Sequence, residues 1–192
     1  TGVDGGLSDV IRVPERALAC ITPSAREIAP PLLALAEPLS CCLRARTRLP
    51  ITSTSRVLIL GTGPIGLIHC ALAGAAGASV MACGRPARLD PALALGASTV
   101  TASQGDELVA TVREWSGGAG ADVVIIAVGD PGLVPIAAQC TAIGGYISCF
   151  AGFPAGTLAQ IDPNLIHYRE LTISGSANAT LEDYAAAVAA LS

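Results

Sequence analysis

The sequence predicts an α/β fold: a doubly wound parallel sheet of about six strands, preceded by a short stretch of mostly β character. Three observations predict it. Apolar runs such as Val57-Leu-Ile-Leu60 and Val123-Val-Ile-Ile-Ala-Val128 are continuous rather than alternating, as in strands covered on both faces. Between them lie segments of helical length, so strand and helix take turns along the chain. The first run ends in Gly61-Thr-Gly-Pro-Ile-Gly66, and a helix of small residues follows at once.

Taken in order, residues 5–21 read as two short strands around a turn at Pro14. Pro30-Pro31 opens a helical stretch to about Arg48, interrupted at Glu37-Pro38. Pro50 with Thr52-Ser-Thr-Ser55 reads as a linker, so the chain divides into 1–49 and 50–192. Strand 56–60 then leads to helix 64–76, and strand 79–83 to a short helix around 87–95. There Asp90-Pro91 resembles an N-cap followed by proline at the first helical position. Strand 98–101 leads to helix 105–116, and Gly117-Gly-Ala-Gly120 forms a loop. Strand 122–128, helix 132–141 and strand 145–150 follow, then a Gly/Pro loop. A helical turn at 163–168, a strand at 170–175 and a helix from about 180 close the chain. Right-handed βα crossovers of this length make the sheet parallel, and six strands suffice for two mononucleotide-binding halves.

Composition narrows the classes. With 192 residues, 52% hydrophobic and 14% charged, the chain can bury a large core, and 3% aromatics makes that core aliphatic. A net charge of −4 without a basic run argues against nucleic acid as a partner. No apolar segment reaches the roughly 18–20 residues that would cross a membrane. Thr1-Gly-Val-Asp-Gly-Gly6 lacks the basic and apolar regions of a signal peptide and lacks an initiator Met, so a partial chain is expected. The seven cysteines are odd in number, include no CxxC pair, and mostly sit in apolar runs. They read as small hydrophobes in a reduced, cytoplasmic setting.

The glycine stretch carries the chemistry. Gly61 suits the tight turn after the strand, and Gly63 lets the backbone approach a pyrophosphate. Pro64 and Ile65 open the helix, and Gly66 allows it to pack closely on the strand. The helix N-terminus offers N–H groups to the phosphates. A dinucleotide is therefore expected, with a plain structural turn as the bland alternative. In dinucleotide folds an acid at the end of the second strand accepts from the adenosine ribose hydroxyls. Here the strand ends Cys83-Gly-Arg-Pro-Ala-Arg88, with Gly84 in the acid's place. Arg85 and Arg88 suit a 2′-phosphate, which favours NADP. The alternative, two solvated arginines with NAD held through backbone contacts, stays open.

Together these stretches resemble the zinc-dependent branch of the medium-chain dehydrogenase/reductase family, nearest to its sorbitol, threonine and polyol dehydrogenases. Four pieces match in order: Gly5-Gly-Leu-Ser-Asp-Val-Ile-Arg-Val-Pro14, Ala36-Glu-Pro-Leu-Ser40, the glycine loop, and Ile161-Asp-Pro-Asn-Leu-Ile-His-Tyr-Arg-Glu170. The resemblance implies that 1–49 holds the end of a mostly β catalytic domain plus interdomain helices, and that 50–192 is a Rossmann domain. It also implies a cytoplasmic homodimer or homotetramer, a small alcohol or polyol substrate, and zinc. The family's Cys and His-Glu zinc ligands and its four-cysteine loop lie ahead of the segment at residue 5. Neither constellation occurs here, and the only histidines are His69 and His167. The chain thus resembles the central part of a longer enzyme, expected to be inactive alone.

By that resemblance Glu37 offers a carboxylate to zinc, directly or through water, against a plain capping role. Cys41 faces the nicotinamide or packs in the core. Val128 and Gly129 end the fourth strand, Ala151 and Gly152 follow the fifth, and Ser176, Ala177 and Asn178 follow the sixth, all at the carboxyl ends where this fold binds its ligand. Convenient small loop residues are the equal alternative for each. His69 reads as a packed helix residue and His167 as structural. A zinc-free quinone or enoyl reductase and a non-catalytic NAD(P)-binding module remain the rival readings.

Overall fold

The computed structural model describes residues 10–24 and 27–192. After a 3-10 turn at Glu15–Cys20, the elements are α1 (Pro30–Leu33), α2 (Ala36–Arg46), β1 (Arg56–Leu60), α3 (Pro64–Ala75), β2 (Ser79–Cys83) and α4 (Leu89–Ala94). Then come β3 (Thr99–Thr101), α5 (Gly105–Trp115), β4 (Ala121–Ile126), α6 (Leu133–Cys140) and β5 (Thr141–Cys149). The chain closes with α7 (Pro163–Tyr168), β6 (Thr172–Gly175) and α8 (Leu181–Leu191). All six strands are parallel, in the order β3-β2-β1-β4-β5-β6. The direction of strand order reverses between β1 and β4, which opens a crevice above their carboxyl ends.

The unbroken apolar runs are explained by two cores. Leu58, Leu60, Val124 and Ile126 face one layer with Leu108 and Val112 of α5 and Ala137 of α6. Val57, Ile59, Val123 and Ile125 face the other with Cys70 and Ala73 of α3. Both faces of β1 and β4 are therefore buried, and no polar alternation survives. An ion pair fastens the two central strands at their starts. The Arg56 backbone N–H donates to Asp122 Oδ2 at 2.7 Å, and its guanidinium donates to both carboxylate oxygens at 3.0 and 2.7 Å. Those bonds hold the Asp122 carboxyl below its ordinary range.

The first stretch differs from expectation. Residues 5–9 lie outside the described residues, 10–14 pair with no strand, and Glu15–Cys20 is a 3-10 turn in which the Ala17 N–H donates to Pro14 O at 2.8 Å. Among the described residues no strand lies alongside to complete a ladder, so a local i→i+3 bond wins. Pro38 does not interrupt its helix; the break falls at Ala34-Leu35, and Pro38 sits in the first turn of α2. There its missing N–H has no intrahelical partner to lose. The same reason places Pro91 inside the first turn of α4, with Arg88 rather than Asp90 at the N-cap. β4 ends at Ile126, short of Val128, and β5 starts early at Thr141 with a register shift between the pairs of Ala121 and Val123.

α2 packs on α8 and α3, beside the crevice. α8 starts with a reciprocal cap: Thr180 Oγ1 accepts from the Asp183 N–H, and Asp183 Oδ2 accepts from the Thr180 N–H. Arg44 of α2 reaches Asp183 Oδ2 at 3.4 Å. Among the described residues no helix is long and apolar enough to cross a membrane.

Candidate dinucleotide site

The glycine loop has the geometry its sequence demands. Gly61 sits at φ +111, and a Cβ there would also run into Val128 Cγ2. Its N–H donates to Cys83 O at 2.8 Å, tying the loop to the end of β2. Gly63 is the N-cap of α3, and Pro64 takes the first helical position, exposed. Gly66 is buried against Gly61 O and 3.6 Å (from its Cβ position) from Ile59 Cγ2, so α3 lies directly on β1.

Two cavities flank this loop. One, of about 830 Å³, is lined by Gly61, Thr62, Gly63, Gly84, Arg85, Arg88 and Val128 among others. Space above Gly63 is open: a Cβ there would meet only Arg88 Nη1, at 3.8 Å. Thr62 Oγ1 is buried without a hydrogen-bond partner. An open backbone cradle, two guanidinium groups and an unsatisfied hydroxyl fit the phosphates and adenosine ribose of a dinucleotide.

The second cavity, of about 680 Å³, is lined by Glu37, Cys41, Arg48, Ile65, Ala151, Gly152, Ser176 and Asn178, with Cys149 and Phe150. It lies where α2 meets the ends of β5 and β6. Ser176 Oγ is buried without a partner, and Asn178 holds a left-handed φ of 58, which Asn tolerates better than most residues. Arg48 spends its Nη1 on Gly175 O at 2.8 Å. Cys41 Sγ donates to Glu37 Oε1 at 3.5 Å, and burial first, then the Glu37 charge, pushes the thiol pKa up. Both effects favour the neutral thiol over the thiolate at Cys41.

The structure thus brings Glu37, Cys41, Ile65, Ala151, Gly152, Ser176 and Asn178 together, and separately groups Gly61, Gly63, Gly84, Arg85, Arg88 and Val128. Pro64, Gly66 and Gly129 shape the backbone instead. A Cβ at Gly129 would lie 2.5 Å from Gly152 O, so the loops after β4 and β5 meet only because that residue is glycine. His69 is buried on α3 with its ring edge-on to Phe150 at 4.6 Å, and His167 stacks edge-on with Tyr168. Sequence reasoning passed over Thr62, Arg48 and Phe150. Thr62 occupies a free position of the glycine motif, and Arg48 and Phe150 belong to no motif at all.

Among the described residues no group of three or more His, Cys, Asp and Glu could hold a metal ion. Glu37 is one oxygen donor, and the described residues do not by themselves fit a zinc site.

A family model described as zinc-binding dehydrogenase matches residues 64–192. The chain belongs to the zinc-binding dehydrogenase family. It is 35% identical over 183 residues to L-galactonate-5-dehydrogenase of Escherichia coli K12, covering 95% of this chain and 52% of that protein. It is 32% identical over 176 residues to (R,R)-butanediol dehydrogenase of Bacillus subtilis, covering 91% and 49%. In three dimensions it matches a protein of Sinorhizobium meliloti 1021 solved with NADP bound, with TM-score 0.76 and 30% identity over 86% of this chain and 51% of that one. The chain spans about half the length of the curated relatives it matches. Its six-stranded sheet is the NAD(P)-binding domain of the zinc-binding dehydrogenase family.

Proposed function

We propose that the chain is the cofactor-binding portion of an NAD(P)-linked alcohol or polyol dehydrogenase, which moves a hydride between a secondary alcohol and the nicotinamide. In this reading residues 50–192 form the dinucleotide unit, and 1–49 lead from the catalytic domain. The glycine loop seats the diphosphate, and the adenosine extends over Gly84 toward Arg85 and Arg88. The nicotinamide enters the cavity at Ile65, beside Ala151 and Gly152, with Ser176 and Asn178 near its carboxamide. Glu37 is the carboxylate on the substrate side, at the position from which the family resemblance supplies a metal-side ligand. The remaining ligands belong outside the described residues. A small alcohol or polyol is the substrate class, as in the names of the two relatives, and a homodimer or homotetramer is the assembly. The outer edge of β6, unpaired among the described residues, supports that assembly.

One observation carries this reading: the carboxylate of α2 lines the same cavity as Ile65 of the phosphate loop and the ends of β5 and β6. The test is thermal unfolding of the chain with NADPH and with NADH. A ligand at about 100 times its Kd adds ~2.7 kcal/mol, which in a chain of this size raises Tm by about 5–10 °C. The larger rise is expected with NADPH. No shift with either dinucleotide sinks the proposal, and alcohol turnover by these 192 residues alone contradicts the division of labour.

A further inference from the structure

The end of β2 is closed to a side chain by a residue from another strand's loop. A Cβ built on Gly84 collides with Thr62 Oγ1 and lies 2.8 Å from both Thr62 Cβ and Thr62 Cγ2. Rotating the threonine cannot open this space, because its Cβ is fixed by the backbone. Gly84 does not have a positive φ, so its backbone would accept any residue and the obstacle is volume alone. Thr62 is itself held in place: it is 4% exposed and sits between Gly61, tied to Cys83 O, and Gly63, the N-cap of α3. Its hydroxyl, buried without a partner, occupies the place that a carboxylate's first carbon would need.

We propose that Thr62 is a specificity-determining positioning residue: by filling the space beside Gly84 it bars an acid from the end of β2. The adenosine ribose is thereby left to the guanidinium groups of Arg85 and Arg88. This rests on the dinucleotide reading above. An acid there would accept from free 2′- and 3′-hydroxyls and repel a 2′-phosphate. Without it, two exposed arginines lining the same cavity are complementary to a phosphorylated ribose. The choice of cofactor is therefore set by a pair of positions, 62 and 84, that must change together.

The test is a cycle on the 192-residue chain: the parent, Gly84→Asp, Thr62→Gly, and the double variant. Each is measured for Tm without ligand and for NADPH and NADH affinity by titration calorimetry. Gly84→Asp alone is expected to lower Tm by about 5–10 °C, as overpacking of a rigid site does, and to weaken both dinucleotides. In the Thr62→Gly background the same aspartate costs little Tm, and the NADH-to-NADPH affinity ratio rises at least about tenfold over the parent. A merely structural Thr62 would restore Tm without moving that ratio. Equal Tm losses in both backgrounds, or NADH preference gained by Gly84→Asp with Thr62 in place, overturns the role of Thr62. A parent that binds neither dinucleotide overturns the underlying reading instead, while the Tm cycle still reports on the contact.

Discussion

At the scale of single residues, the site separates groups whose roles follow from residue type from groups whose roles follow only from neighbours. Gly61 and Gly63 were legible because one motif dictates both a turn and an open cradle, and their φ and surroundings match. Thr62 was not legible: its partner Gly84 lies on the next strand, and only the parallel pairing of β1 with β2 brings them together. Glu37 and Cys41 are intermediate, since helical spacing puts i and i+4 on one face but does not say what that face meets. Their contact can be checked. Glu37→Gln removes the charge that helps to hold the Cys41 thiol pKa up, although burial contributes more. Alkylation of Cys41 at pH 8, followed by site-resolved mass spectrometry, is expected to speed up about threefold. Cys20, exposed and distant in sequence, serves as the internal control. An unchanged rate at Cys41 would show that the carboxylate does not face it.

At the scale of elements, the alternation of strand and helix was readable from β1 onward, because buried parallel strands leave continuous apolar runs between helical segments. The first fifty residues were harder. Short apolar runs there fit strand, helix or turn equally, and prolines in first turns look like breaks until the helix start is known. α3 shows a cost hidden inside a well-formed helix. His69 is 3% exposed, its Nε2 has no partner, and burial lowers its pKa from 6.5 to about 4. The folded state therefore holds a neutral imidazole where the unfolded chain binds a proton. Above pH 6.5 neither state is charged at this position and stability is unaffected. As pH falls from 6.5 toward 4 the unfolded state gains protons first, and stability drops by ~1.4 kcal/mol per pH unit, to a total of about 3 kcal/mol. His69→Leu removes this slope. Urea unfolding at pH 7 and pH 4.5 is expected to show the variant losing about 2–3 kcal/mol less than the parent between the two values. Parallel pH profiles would mean that the imidazole finds a proton acceptor in solution.

At the scale of the whole molecule, burial is distributed unevenly. Every strand from β1 to β5 except the short β3 contributes buried residues, whereas the 3-10 turn and α1 contribute none. Instead Ile11, Val13, Leu18, Ile21, Leu32, Leu33 and Leu35 stand between 39% and 56% exposed. Scattered apolar residues on a surface are ordinary, but so many among residues 11–21 and 32–35 make a contact surface a testable expectation. The energetic consequence is specific. Side chains that are not buried in the folded chain cannot contribute much to its unfolding free energy, yet apolar ones remain available for association. Ile11→Ser, Val13→Ser and Leu18→Ser combined are expected to change the unfolding free energy by no more than about 1.5 kcal/mol, the sum of three surface substitutions. The same triple variant should bind less of a hydrophobic fluorescent dye and sediment with less self-association than the parent. A loss of several kcal/mol would place these side chains in the folding core. Unchanged dye binding and sedimentation would remove the segment as a contact surface.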